Sequence, residues 1–189
     1  MKSVIRKRWL LRVYCWAQLV FRRTRYVDKL RGLAINIQPT SGVSSRCVIK
    51  IRRGGSIAIG RNCFVPDFAM ILTHGGNILI GDNCSLNPFS IIYGHGGVRI
   101  GNGVRIAANT AIIPANRVSA SEGLPLSHSG VTARGVEIGD GVWLGAGVRI
   151  LDGVRIGRHA VVGAASVVTK AVAANSTVVG IPARSIERR

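Results

Sequence analysis

Aliphatic residues recur along this chain with a period of six. In the second half the beat is strict: Ile138, Leu144, Ile150, Ile156, Val162, Val168, with Gly following four of the six, at Gly139, Gly145, Gly157 and Gly163. Earlier, Ile59-Gly60, Ile80-Gly81 and Ile100-Gly101 each carry echoes six and twelve residues on: Val65 and Ile71, Leu86 and Ile92, Ile106 and Ile112. An amphipathic helix does not give a strict six. One inward aliphatic residue per six fits a short strand that turns a corner into the next, and three such sides make a coil of 18 residues. Coils stack like neighbouring strands, about 4.8 Å apart, so each aliphatic residue meets its counterpart one coil on. Gly and Asn beside it accept the backbone angles of a corner. The pattern runs from 57 to 173, with weaker traces from Val43 and Ile49.

Counting coils locates the insertions. Ile59 to Ile80 is three residues more than a coil, and Ile80 to Ile100 two more. These are corner bulges at "THGG" and "GHGG". Ile100 to Ile138 is 20 more, so a long loop leaves the solenoid after "IIPANR" and regularity resumes beyond it. An excursion of that size in an otherwise regular stack is a functional element rather than a domain boundary.

Composition agrees. The 189 residues are 47% hydrophobic but only 5% aromatic, with 24 glycines, which suits a tight regular β structure better than a bundle or doubly wound sheet. The chain is expected to be all-β, with an arm over 1–35, a β-helix over 36–173 with its loop at 114–137, and a tail over 174–189. Cys15, Cys47, Cys63 and Cys84 have no metal-ligand spacing and read as isolated reduced thiols; no metal is expected.

The net charge is +18, and half of it lies in residues 1–31, which hold ten Lys or Arg against Asp28 alone. Val4, Ile5, Trp9, Val13, Trp16 and Val20 share a helical face in that arm. It reads either as a helix on an anionic membrane surface or as a cap on the open end of the coil. The apolar run Trp9–Phe21 contains Arg12 and is shorter than the about 20 residues of a spanning helix. No small-residue cleavage site follows it. The expectation is a cytoplasmic protein, peripheral on the inner membrane face if the arm binds lipid. No nucleic-acid motif accompanies the charge.

Several stretches carry a resemblance: "NPFSIIYGHGGVRIG", "IIPANR", "GVEIGDGVWLGAGVRILDGVRIG", "AVVGAASVVTK" and "VVGIPARSI", together spanning 87–186. The chain resembles the hexapeptide-repeat acyltransferases, and more closely the bacterial sugar O-acetyltransferases of capsule, exopolysaccharide and lipopolysaccharide synthesis. The resemblance implies a left-handed parallel β-helix, a homotrimer, acetyl-CoA in a groove between subunits, and a sugar or lipid-linked saccharide as acceptor. It also implies a histidine at the loop entrance that deprotonates the acceptor hydroxyl for direct attack on the thioester. On the donor side, Trp143 matches the tryptophan beside the acetyl and pantetheine end. Gly145, Ala146, Ala164 and Thr169 match positions lining the CoA groove. Lys170 and Arg184 match basic positions near the CoA phosphates, and Arg188 stands beside Glu187, where the family has one more arginine.

The chain departs from the pattern at its centre. Similar sequences read Ile-Ile-Pro-Ala-Asn-His; here the last residue is Arg117, which has no acceptor lone pair and stays protonated, so it cannot be a base. Three readings stand: Arg117 binds an anionic acceptor, or marks a protein that binds acyl-CoA without catalysis, or is a surface residue with the base elsewhere. His95, at a corner one coil from the loop and beside Asn116, is the first candidate base; His128, in the loop, is the second. For His74 turn chemistry suffices, and His159 reads as surface. Two other functions stay open: an acyl-CoA or sugar-binding scaffold, and N-acetylation of an amino sugar.

Overall fold

A computed structural model describes residues 34–118 and 130–186. The arm over 1–33, His128 and the rest of 119–129, and Arg188 with its neighbours lie outside the described residues. Among the described residues there is no helix, and so none that could cross a membrane.

The chain winds as a triangular solenoid of six turns. The first is β1 (Ile35–Ile37), β2 (Gly42–Val43) and β3 (Val48–Lys50); the second β4 (Ile57–Ile59), β5 (Phe64–Val65) and β6 (Met70–Leu72); the third β7 (Ile78–Ile80), β8 (Ser85–Leu86) and β9 (Ile91–Tyr93). The fourth is β10 (Val98–Ile100), β11 (Arg105–Ile106) and β12 (Ala111–Ile112). A hairpin of β13 (Asn116–Arg117) and β14 (Val131–Thr132) interrupts it. The fifth is β15 (Val136–Ile138), β16 (Trp143–Leu144) and β17 (Arg149–Ile150); the sixth β18 (Arg155–Ile156), β19 (Val161–Val162) and β20 (Val167–Val168). First strands stack as sheet A, second strands as sheet B and third strands as sheet C, all parallel.

The inward ladders are the aliphatic residues that the period of six singles out. Ile59, Ile80, Ile100, Ile138 and Ile156 stack in sheet A. Val65, Leu86, Ile106, Leu144 and Val162 stack in sheet B, and Ile71, Ile92, Ile112, Ile150 and Val168 in sheet C; all are buried. Truncating one such isoleucine to alanine costs about 2–5 kcal/mol, because a stacked coil cannot collapse around the gap.

The coil begins at β1, with Ile35 and Ile57 in register. The C-terminal end differs from the sequence expectation: the segment read as a tail continues the solenoid. β21 (Thr177–Val179) pairs parallel with β19, and β22 (Arg184–Ile186) folds back antiparallel on β21. Val172 pairs with Ile156 and the buried Val178 with Val162, so the aliphatic beat continues; the step from Val168 to Val172 is four residues rather than six, which is why the strict count breaks there.

Candidate functional site

The loop leaves the coil for a local reason. Ile113 N–H still donates to the Ile150 carbonyl at 2.8 Å, one rung of the sheet C ladder. Pro114 comes next and has no N–H to give. The chain turns out into the hairpin, where Asn116 faces Thr132 and Arg117 faces Val131 across an antiparallel pair, with Val118 N–H on the Gly130 carbonyl at 2.9 Å. It rejoins the stack at Arg134–Gly135. Gly153 N–H donates to the Gly135 carbonyl at 2.8 Å, and Val136 N–H to the Gly97 carbonyl at 3.1 Å. Because β12 still pairs with β17, and β10 with β15, coils four and five stack as if nothing lay between them.

Asp152 holds the return. Its side chain is fully buried at the corner after β17. Its Oδ1 accepts the backbone N–H of Arg134 at 2.6 Å and of Gly135 at 3.2 Å, and its Oδ2 lies 3.3 Å from Arg134 Nε and 3.4 Å from the Thr132 hydroxyl. Arg134 and Asp152 are 18 residues apart, one full coil, so they stack across one corner. Neither stands among the residues that the sequence pattern marks as functional; that spacing was the available signal.

The same edge of the prism, where sheet C turns into sheet A, carries the histidines. His74 leaves the corner after β6 and His95 the corner after β9. Their rings lie face to face, 4.4 Å between centroids and 9° apart, and both meet Tyr93 edge-on, at 5.3 and 6.1 Å. His95 Nδ1 is buried and has no hydrogen-bond partner, which leaves Nε2 as the nitrogen open to a substrate. Burial pushes the His95 pKa below its ordinary value and the nearby Arg53 pushes it further. His74 moves the same way, chiefly by burial, then by His95, Arg52 and Arg53. Both rings are therefore neutral at pH 7, the state a base must be in. The hairpin is rooted directly on the His95 turn: a Cβ at Gly96, whose φ is +65°, would overlap the Ala133 carbonyl oxygen. The coil above His95 is thus the returning chain at 133–135.

The candidate residues fall into three groups. His95, Asn116 and Arg117 are brought to one edge, with Asn116 and Arg117 both exposed on β13. Trp143, Gly145, Ala146 and Ala164 form a second group on sheet B and at the corner leading to sheet C. Trp143 is 57% exposed although its neighbour Leu144 is buried, and a Cβ at Gly145 would stand 2.6 Å from Ala164 N. Thr169, Lys170 and Arg184 form the third at the C-terminal end. There Lys170 and Arg184 line one cavity of about 390 Å³ with Ala171, Ser176 and Ser185. Thr169 and Lys170 follow β20 at the edge of sheet C opposite the second group, while Arg184 lies on β22, which extends sheet B at the C-terminal end. His159 is exposed at the corner between sheets A and B, packed over Gly141 and away from the histidine pair. Among the described residues no group of His, Cys, Asp or Glu is arranged to hold a metal ion.

The exposed indole, the flat Gly145–Ala164 step beside it and the paired cations Lys170 and Arg184 fit an acyl-CoA. An aromatic face and close backbone approach suit the pantetheine arm, and cations suit the phosphates.

Comparison with known proteins agrees with this architecture. Residues 135–170 match the bacterial transferase hexapeptide model (six repeats), and residues 77–114 match the hexapeptide repeat of succinyl-transferase. Comparison with curated sequences gives no match. Among solved structures, a variant of AntD, an N-acyltransferase from Bacillus cereus, in complex with dTDP-4-amino-4,6-dideoxyglucose and coenzyme A, superposes with a TM-score of 0.75. Its identity is 24%, over 88% of this chain and 89% of that one. A hexapeptide-repeat acetyltransferase from Vibrio cholerae is 29% identical over 68% of this chain and 72% of its own, with a TM-score of 0.59. The polySia-specific acetyltransferase NeuO is 23% identical over 82% of this chain and 71% of its own, with a TM-score of 0.67.

Proposed function

We propose that this chain, a member of the hexapeptide-repeat acyltransferases, transfers an acetyl group from acetyl-CoA to a sugar, with His95 as the general base. The observation that carries the reading is the root of the excursion. The hairpin closes onto the turn that presents a neutral, half-buried imidazole. The donor supplies an activated thioester carbonyl. His95 takes the acceptor hydroxyl proton at Nε2 as the oxygen attacks, and returns it to the departing sulfur. A base at this point contributes about 10²–10⁴ in rate, and positioning by the hairpin and the corner supplies the rest. Trp143, Gly145, Ala146 and Ala164 hold the pantetheine end, and Lys170 and Arg184 the phosphates. With Trp143 on sheet B and Lys170 beyond the far edge of sheet C, a groove shared by two subunits of a homotrimer suits the donor best.

The acceptor we favour is a hydroxyl of a surface-polysaccharide sugar, modified in the cytoplasm, with the basic arm of residues 1–31 docked on an anionic membrane face. AntD, of similar fold, is an N-acyltransferase bound to an amino sugar nucleotide, so an amino sugar is the alternative acceptor; an amine, partly neutral already, depends less on a base. One observation favours a different reading. Arg117 replaces the histidine expected at the loop entrance, which suits a binding scaffold that has given up catalysis.

The test is release of CoA thiol from acetyl-CoA with a panel of nucleotide- and lipid-linked sugars, for the native chain beside Arg117→His. Turnover by the native chain supports the enzyme. Acetyl-CoA binding without turnover, with turnover appearing only in Arg117→His, supports the scaffold.

A further inference from the structure

The edge that carries the histidines continues downward into two arginines. Arg52 and Arg53 form the corner after β3, one coil below His74 and two below His95. Arg53 packs beneath the next turn, its Cβ 3.5 Å from where a Cβ of Gly75 would stand. Arg52 is fixed by its backbone. Its N–H donates to the Thr73 hydroxyl at 2.8 Å, and that hydroxyl, on a buried side chain, lies 3.1 Å from the Arg52 carbonyl. Arg46, Arg61, Arg134 and Arg155 each have a carboxylate partner, whereas Arg52 and Arg53 have none among the described residues. The three turns here, residues 51–56, 73–77 and 94–97, contain no Asp or Glu. Two guanidinium groups therefore lie below two stacked neutral imidazoles on one edge, with no carboxylate beside them among the described residues. The two adjacent guanidinium charges repel each other, and an anion over them relieves that repulsion.

We propose that this edge binds an acceptor sugar carried on a diphosphate, with the diphosphate over Arg52, Arg53 and His74 and the sugar over His95 beneath the hairpin. Guanidinium forks bind phosphate oxygens in pairs, which a lysine in the same place would not do. Two coil spacings, about 10 Å, separate the arginine turn from the His95 turn, the span of a diphosphate joined to one hexose. The inference rests on the acetyltransferase reading for its sugar and on the arginine edge for its diphosphate. Nucleotide-linked and polyprenyl-linked sugars share that chemistry.

The experiment is calorimetric binding at two salt concentrations. The probes are inorganic pyrophosphate, UDP-glucose, a short-chain prenyl-diphosphate-linked glucose, and free glucose. They are applied to the native chain and to an Arg52→Gln/Arg53→Asn variant, in which asparagine suits the positive φ of residue 53. Arg53→Lys serves as a second variant, and acetyl-CoA binding as the control for folding in all of them. Expected are salt-sensitive binding of the diphosphate probes, at least a tenfold loss in the double variant, a smaller loss in Arg53→Lys, and unchanged acetyl-CoA binding. The two linked sugars then separate a nucleotide carrier from a lipid carrier. Equal binding of the diphosphate probes by native chain and double variant, or equal binding of free and diphosphate-linked glucose, overturns the proposal. Turnover of a free sugar by both proteins would keep the enzyme and remove the diphosphate site. Arginine-dependent pyrophosphate binding without any acetyl-CoA binding would keep the site and remove the enzyme.

Discussion

Replacing Asp152 by alanine should free the loop return, and the structure gives the size of the effect. Its carboxylate accepts two backbone N–H groups, from Arg134 and Gly135. A hydrogen bond to a charged acceptor contributes about 1.5–3 kcal/mol, and Gly135 is buried, so its N–H cannot fall back on water. Allowing for partial rehydration at Arg134, the loss is about 3 kcal/mol. The ion pair matters far less. The Arg134 side chain is 72% exposed, its Nε sits 3.3 Å from the carboxylate, and an exposed pair is worth about 1 kcal/mol at most. Arg134→Ala also leaves the backbone bond in place. Amide exchange at 134 and 135 should therefore accelerate about a hundredfold in Asp152→Ala, but about fivefold at most in Arg134→Ala. Asp152→Asn, which keeps one acceptor oxygen, should fall between. Read by hydrogen exchange with mass spectrometry, an Arg134→Ala effect equal to that of Asp152→Ala would refute the backbone account and make the ion pair the anchor.

Other consequences follow from the same geometry. Gly96→Ala combines a φ of +65° with an overlap on the Ala133 carbonyl, so it should unseat the hairpin and lower kcat by at least tenfold while the core strands keep their exchange protection. Trp143→Ala should change the melting temperature little, the indole being exposed, yet raise KM for acetyl-CoA several-fold. Lys170→Ala with Arg184→Ala should weaken acetyl-CoA about tenfold and leave S-acetyl-pantetheine, which lacks the nucleotide phosphates, unaffected; equal losses for both donors would remove these residues from phosphate binding.

The ladders were legible because each inward position is aliphatic and the spacing is six. Ile59, Ile80 and Ile100 could be placed on one another by counting. The excursion was legible in the same way, since a coil of 18 with 20 residues to spare has one place to put them. What counting aliphatic residues misses is polar stacking. Asp152 looks like a corner residue beside Gly153, and only the fold of the return strand puts two backbone N–H groups on it. His74 looked like turn chemistry; equivalent corner positions in adjacent coils bring its ring onto His95. The resemblance gathers the donor residues into one set, and the coil puts Thr169 and Lys170 a sheet C's width from Trp143, with Arg184 on sheet B at the C-terminal end. β21 is not marked by the strict count because Val172 follows Val168 by four residues rather than six, so Val178 falls off the beat although it stacks on Val162, and β22 runs antiparallel, outside the coil repeat.

Burial and Arg53 both depress the His95 pKa, and the sign of the pH effects follows. The unfolded chain takes up that proton first, at about pH 6.5, so the stability attached to His95 is present above that value and lost as the pH falls through the folded pKa. Catalysis by the neutral ring should rise with pH along a limb displaced below that of an ordinary histidine. The pH profile of kcat/KM for acetyl transfer, native beside His95→Ala, tests this most directly. The account predicts a native profile whose acid limb lies below that of an ordinary histidine, and a variant slowed about 10²–10⁴-fold whose residual rate climbs with hydroxide. A His95→Ala chain with the native rate and the native profile would contradict it.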